Sequence, residues 1–428
     1  MHGRMRRDVP AALLVGTAML LAGCTGGPAT HSRSPTPRTS ATCADAVARV
    51  VDAARTVVSG YAEATTGASP SPLPSPTGAA VAPTDALSSA VSTARSIRRQ
   101  AGCAHFDDDL ATGLAGIPHE GTVRDAVWRR LSATLLGTVG DKAATTTLAA
   151  GQDLRDAVAR AASGSTIVLP KGITNLDDTL VLLDGIAVRG AGRDASVLRS
   201  DAADAAVLIA AAGTVRFSDL SVRLVGARPA SGIVAGPQAS LALNRVRVSG
   251  AKAGSGGAGG AGVYVSGSDT GRVRTDTTLE VTESVLSGNG WAGLAVTGDG
   301  RVSIESATVA DNTRAGIVFL DHASGSVAHS TMRGNGLGVA ITGHASPALE
   351  SNIVSGGSVG VQADSSAAPT IKGLRVTGTR KAALIMSGSA RGWVGGVSCP
   401  GTPFGIVVAG SAAPTLESNT CPLQAGAR

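Results

Sequence analysis

Aromatic side chains are nearly missing from this 428-residue chain, which holds four Phe, three Trp and two Tyr. Saccharide clefts and single-stranded nucleic-acid channels both rely on stacked rings, so their scarcity argues against a deep cleft of either kind. Charge is sparse as well, at 16% Asp, Glu, Lys and Arg. The net charge of +6 is not gathered into a Lys/Arg face, so no nucleic-acid partner is expected. None of the five cysteines is spaced Cys-x-x-Cys, which argues against a thiolate zinc site. No metal set and no cofactor is assigned from the residues. A long apolar run is absent apart from Ala11 to Leu21, which is too short to span a bilayer comfortably.

Glycine, with 57 residues, is what the chain has in plenty, and it falls into a repeat. Counting from Gly293, Gly316, Gly338, Gly360, Ala383 and Gly405, the spacings are 23, 22, 22, 23 and 22 residues. One residue after each start stand Leu294, Ile317, Val339, Val361, Leu384 and Ile406. Further apolar columns run through Val296 and Phe319, through Ile304 and Val327, and through Val309 and Met332. Short alternating runs at this period describe a coil of three strands that cannot bury its apolar face alone. The coils must therefore stack, which predicts a mainly β chain built as a parallel β-helix of about ten coils. The register extends upstream through Gly232 and Ala206. The coil opened by Gly262 carries an insertion, Ser268–Thr277, before Val281 and Leu286 return to register.

Cys399 and Cys421 both fall sixteen residues after a coil start, one above the other. Stacked strands lie roughly 4.8 Å apart, inside the span a disulfide accepts, so a bridge is predicted to staple the last two coils. With Cys24 set aside for the role that the leader's resemblance below implies, Cys43 and Cys103 are predicted to form the other pair. Cys43 to Gly60 and Ala86 to Gly102 read as helices, with Val47, Val50, Val51 and Ala54 on one face. Two more are predicted around Asp108–Leu114 and Val123–Val139, giving a small all-α domain over residues 42–148 with a proline-rich loop at 69–83. Asp153 to Ala162 is a separate helix.

Two stretches resemble known families. Arg4, Arg6 and Arg7, the apolar run, and Leu21-Ala22-Gly23-Cys24 resemble the signal peptide and lipobox of bacterial lipoproteins. That resemblance implies cleavage before Cys24, acylation of its thiol, and a membrane partner on the extracytoplasmic side. Removing residues 1–23 lowers the net charge from +6 to +4 and leaves residues 24–41 as a Pro/Ser/Thr-rich tether. Ser165-Thr-Ile-Val-Leu-Pro-Lys-Gly172 and Gly185-Ile-Ala-Val-Arg-Gly-Ala-Gly192 resemble the opening coils of the pectate-lyase-like superfamily. Over residues 149–428 this implies right-handed coiling, with the preceding helix capping the stack. A fold of this kind does not specify an activity.

The residue six after each coil start lies in the turn leaving the first strand. That column places Asp299, His322 and His344 on consecutive rungs, with Asp321 beside His322. At roughly 5 Å spacing, carboxylate and imidazole can exchange protons or share a ligand, so these four are the candidate catalytic residues. The insertion leaves from the same turn and carries Arg272 and Arg274, which suit an acidic sugar. Tyr264 and Trp291 offer the nearest aromatic surface. The competing reading is turn chemistry, since tight turns attract Asp, Ser and His without function. Val318-Phe-Leu-Asp-His322 is similar to a hydrophobic-Asp-His segment of pectate lyases and to the Asp-Pro-His of alginate epimerases. The proline and the pectate-lyase calcium carboxylates are absent, and neither activity is carried over.

Other columns read as structural. Asn289, Asn312 and Asn335 form an asparagine ladder, and His329 falls on the inward parity as a buried, hydrogen-bonded histidine. Glu305, Glu350, Lys372 and Glu417 form an outward, solvated column. Three functions remain open. The chain is a surface lipoprotein whose β-helix binds or spaces within the cell envelope. Alternatively it is a polysaccharide lyase, epimerase or hydrolase acting on an acidic polysaccharide at the Asp299–His322–His344 row. The third reading is an interaction platform, with the helical domain docked on the outward face of Val318, Leu320, Ile385 and Val407.

Overall fold

Each coil closes on three short strands because its apolar residues alternate inward, and the coils stack because every inward residue meets its equivalent on the next rung. A computed structural model describes residues 42–60, 85–255, 259–267 and 277–425. The leader, Cys24, the tether, the 69–83 loop, Arg272 and Arg274 lie outside the described residues. The strands form three parallel sheets of 11, 12 and 9 strands. In the first sheet Leu294, Ile317, Val339, Val361, Leu384 and Ile406 pair in register. Ile304, Val327, Leu349 and Ile371 do so in the second, and Val309, Met332, Val354 and Val376 in the third. The eleven strands of the first sheet give about eleven turns, one more than the repeat predicted. Their inward side chains form one continuous apolar core, in which Phe217 and Phe319 are the largest fully buried groups.

The corners explain much of the sequence. In the coil opened by Gly293, the backbone turns at Gly298, Ser306 and Asp311, with φ of 60°, 54° and 55°. Left-handed geometry favours Gly, Asn, Asp and short polar residues. His329 occupies the second of these corners, with φ of 47°. It is therefore exposed and meets Glu305 at 2.9 Å, rather than buried as its parity predicts. The corner residue shifts the alternation by one, which turns an inward position outward. The outward column behaves as expected, with Glu305, Glu350, Lys372 and Glu417 all exposed. The asparagine ladder is present and buried: Asn289 Nδ2 donates to Asn312 Oδ1, and Asn312 Nδ2 donates to Asn335 Oδ1, both at 2.9 Å. A second buried ladder, unnoticed in the sequence, passes from Ala307 N–H to Ser330 Oγ and from Ser330 N–H to Asn352 Oδ1.

Ahead of the coils lie five helices among the described residues: α1 (Cys43–Ser59), α2 (Asp85–Ala101), α3 (Phe106–Ala115), α4 (Thr122–Leu135) and α5 (Leu154–Arg160). Thr42 and Asp45 cap α1 reciprocally. Cys43 and Cys103 are bridged across 5.9 Å between Cα atoms, and Cys399 and Cys421 across 5.4 Å. Asp153 caps α5, and Leu154 closes the open end of the coil core. Helices α1–α4 pack on the outward face of the first sheet, as the platform reading anticipated, but on earlier coils. Their core joins Val181, Ala205, Leu208 and Val234, not Val318, Leu320, Ile385 or Val407. Chain connectivity explains the difference, since α4 leads through a short link into α5 and the first coil.

That seam is also held by charge. Arg129 Nε donates to Asp125 at 2.7 Å, and its Nη1 donates to Asp156. Arg130 Nη1 donates to the Ala161 carbonyl at 2.7 Å, and its Nη2 lies 3.0 Å from Asp184. Burial pushes the Asp153 carboxyl up, but the bonds from Arg155 and the charge of Arg129 outweigh it and hold the group below its usual range.

Candidate functional site

The turn that leaves the first sheet sets the candidate row. On successive rungs its left-handed residue is Gly298, Asp321, Gly343, Ser365, Gly388 and Gly410. The next residue is then Asp299, His322, His344, Ser366, Ser389 or Ser411. Backbone bonds tie the turns rung to rung: His322 N–H donates to the Gly298 carbonyl at 3.0 Å, and His344 N–H to the Asp321 carbonyl at 2.6 Å. These bonds fix where the side chains emerge.

His322 and His344 are brought together. Both are exposed, and their rings stack with centroids 5.1 Å apart and planes 6° from parallel. The two carboxylates are directed elsewhere. Asp321 accepts the Gly298 N–H at 3.1 Å on the rung below, so its charge is engaged by the turn itself. Asp299 folds back over its own preceding rung, with Oδ1 2.6 Å from where a Cβ on Gly267 would stand. Among the described residues, no three His, Cys, Asp or Glu are gathered to hold a metal ion. From His322 to Ser411 the row is an exposed rail of imidazole and hydroxyl groups along the stack axis, about 19 Å long at the usual strand spacing.

Tyr264 is not an open sugar platform. It is half-buried where the helical domain meets a small cluster of Ala261, Ala292, Ala295, Trp291 and Val318. Burial pushes its phenol above the usual range, and the hydroxyl lies 3.4 Å from Thr297 Oγ1. Trp291 belongs to the same cluster and serves as packing. Sequence reasoning also missed a polar pocket of about 520 Å³ between the α3–α4 connection and the first coils, lined in part by His119, Glu120, Asp125, Arg155 and Asp178. Its only sequence signal is the Asp125–Arg129 pair at i, i+4 on α4. His119 also stacks on Trp128, at 3.9 Å between centroids.

The fold and its repeat place the chain in a known class. Residues 205–421 match the family model described as right handed beta helix region, and the chain belongs to that family. A search of curated protein sequences found no match. Three solved structures are similar in fold, each at 14% identity. The Agl-KA catalytic domain aligns over 62% of this chain and 62% of its own, with a TM-score of 0.40. The GH87 alpha-1,3-glucanase catalytic unit from Streptomyces thermodiastaticus aligns over 68% and 70%, with a TM-score of 0.34. The mannuronan C-5 epimerase AlgE6 A-module from Azotobacter vinelandii aligns over 59% and 91%, with a TM-score of 0.33.

Proposed function

We propose that this chain is an exported, lipid-anchored β-helix that binds an acidic polysaccharide of the cell envelope without turning it over. One observation carries the reading: two exposed imidazoles stacked 5.1 Å apart on consecutive rungs of a hydroxyl-lined rail. Imidazole N–H and serine O–H groups repeated along one axis suit the hydroxyl and carboxylate groups of an extended polymer. Turnover needs an acid and a base facing one sugar. Here Asp321 is engaged by Gly298 N–H, and Asp299 Oδ1 is turned back toward Gly267 on the rung below. The helical domain, joined to α5 through Arg129 and to the first coil through Arg130, leaves the rail on the later coils uncovered.

The lipid anchor rests on the Leu21-Ala22-Gly23-Cys24 motif and has its own test. Cys24→Ser is expected to abolish incorporation of labelled fatty acid and to release the protein from the membrane fraction. Unchanged labelling and retention would remove the anchor from the reading. For the rail, the full chain in detergent is screened against polyuronates while absorbance of an unsaturated product is followed. Saturable binding with flat absorbance is expected. A rise in absorbance that His322→Ala abolishes would instead make the chain a lyase.

A further inference from the structure

Trp393 stands on the second sheet, away from the imidazole rail, and the strand alternation turns it outward. Its direct neighbours in that outward column are Thr370 and Thr415, and the column continues through Ala348, Ser326 and Ser303, all small or polar residues. An indole among them is out of keeping with the face it occupies. Its placement is specific. A Cβ built on Gly395 would collide with the six-membered ring, so the indole lies flat along its own strand over Gly395, and Gly395 is buried beneath it. Only glycine at this position lets the ring lie flat. In register with Gly395 stand Lys372 on the rung below and Glu417 on the rung above, both exposed. Lys372 is paired with Glu350 on the rung below its own, 2.9 Å away. Among the described residues no acceptor takes the Trp393 indole N–H, whereas Trp128 gives its own to the Leu114 carbonyl at 2.9 Å.

We propose that Trp393 is a carbohydrate platform that takes one neutral hexopyranose unit of a polysaccharide. A flat ring on a face that also carries Lys372, Glu417 and two threonines matches what a pyranose presents. The C–H face of the sugar stacks on the indole, while its equatorial hydroxyls reach Lys372 on one side and Glu417 on the other. Cation and anion flank the ring together, so the surroundings favour an uncharged sugar over a uronate. The site shares no residue with the imidazole rail and does not depend on what that rail binds.

The test titrates the full chain in detergent with cellohexaose, laminarihexaose and mannohexaose, followed by calorimetry and by indole fluorescence. Saturable binding to at least one hexaose is expected, with a change in indole emission. Trp393→Ala is expected to weaken it by about tenfold or more, while Trp393→Phe retains part and Lys372→Ala falls between. Binding of an acidic polyuronate, where present, is expected to survive Trp393→Ala and to be lost in His322→Ala, so failure at one site is distinguishable from failure at the other. No binding to any hexaose would overturn the proposal. So would unchanged affinity in Trp393→Ala, or a fall in melting temperature in that variant as its sole effect, which would make the indole a cover for the penultimate rung.

Discussion

Phe319→Ala destabilises the coil stack by about 3–5 kcal/mol, at the upper end for a core truncation. Phe319 is fully buried, and its backbone is held in register with Val296 below and Ile341 above. Collapse around the lost ring would shorten the rung spacing, which the parallel hydrogen-bond ladder fixes at about 4.8 Å. The cavity therefore persists, and its cost adds to the lost burial. Phe319→Leu is expected to recover most of the loss, because it keeps much of the volume. Chemical denaturation followed by far-ultraviolet circular dichroism measures the series. A loss below about 1 kcal/mol for Phe319→Ala would mean that the rungs are less rigidly spaced than the register implies.

The second large effect concerns a polar group. Asn312 is 1% exposed, and its side chain makes four bonds. Its Oδ1 accepts from the Asn289 N–H and Nδ2, and its Nδ2 donates to Asn335 Oδ1 and to the Leu286 carbonyl. Asn312→Ala leaves several of these partners buried and unpaired, at about 1–3 kcal/mol for each group stranded. A total of about 3 kcal/mol or more is expected. Asn312→Asp keeps the acceptor but places a carboxylate opposite Asn335 Oδ1, so it should not rescue. Asn→Ala at an exposed corner would cost well under 1 kcal/mol by the same measurement. Equal losses at both places would contradict the ladder.

Asn312 also shows what the sequence made legible. A buried ladder repeats with the coil, so its residues recur at one offset and can be found by counting. The apolar columns, the stacked Cys399–Cys421 pair and the His322–His344 adjacency were readable for the same reason. His329 shows where counting fails. Strand alternation predicts which face a residue takes only while the strand continues, and a corner with φ of 47° resets it. Contacts between distant elements leave no period at all. Nothing in the spacing of Val181, Leu208 or Tyr264 announces that α1–α4 cover them, and the helices had to be seen in place. The chemistry of the row was only half readable. Adjacency of Asp321 and His322 in sequence implies proximity, but the left-handed backbone of Asp321 directs its carboxylate to Gly298 N–H instead.

Binding along the imidazole rail without turnover is measured most directly by calorimetric titration of a polyuronate into the full chain and into His322→Ala and His344→Ala, with melting temperatures recorded on the same samples. Both residues are exposed, so neither substitution should move the melting temperature appreciably. Each is expected to remove binding, and no unsaturated product should accumulate with the unaltered chain. Binding unchanged in both variants would reduce the row to turn chemistry, and product formation that both variants abolish would show a catalytic site in its place.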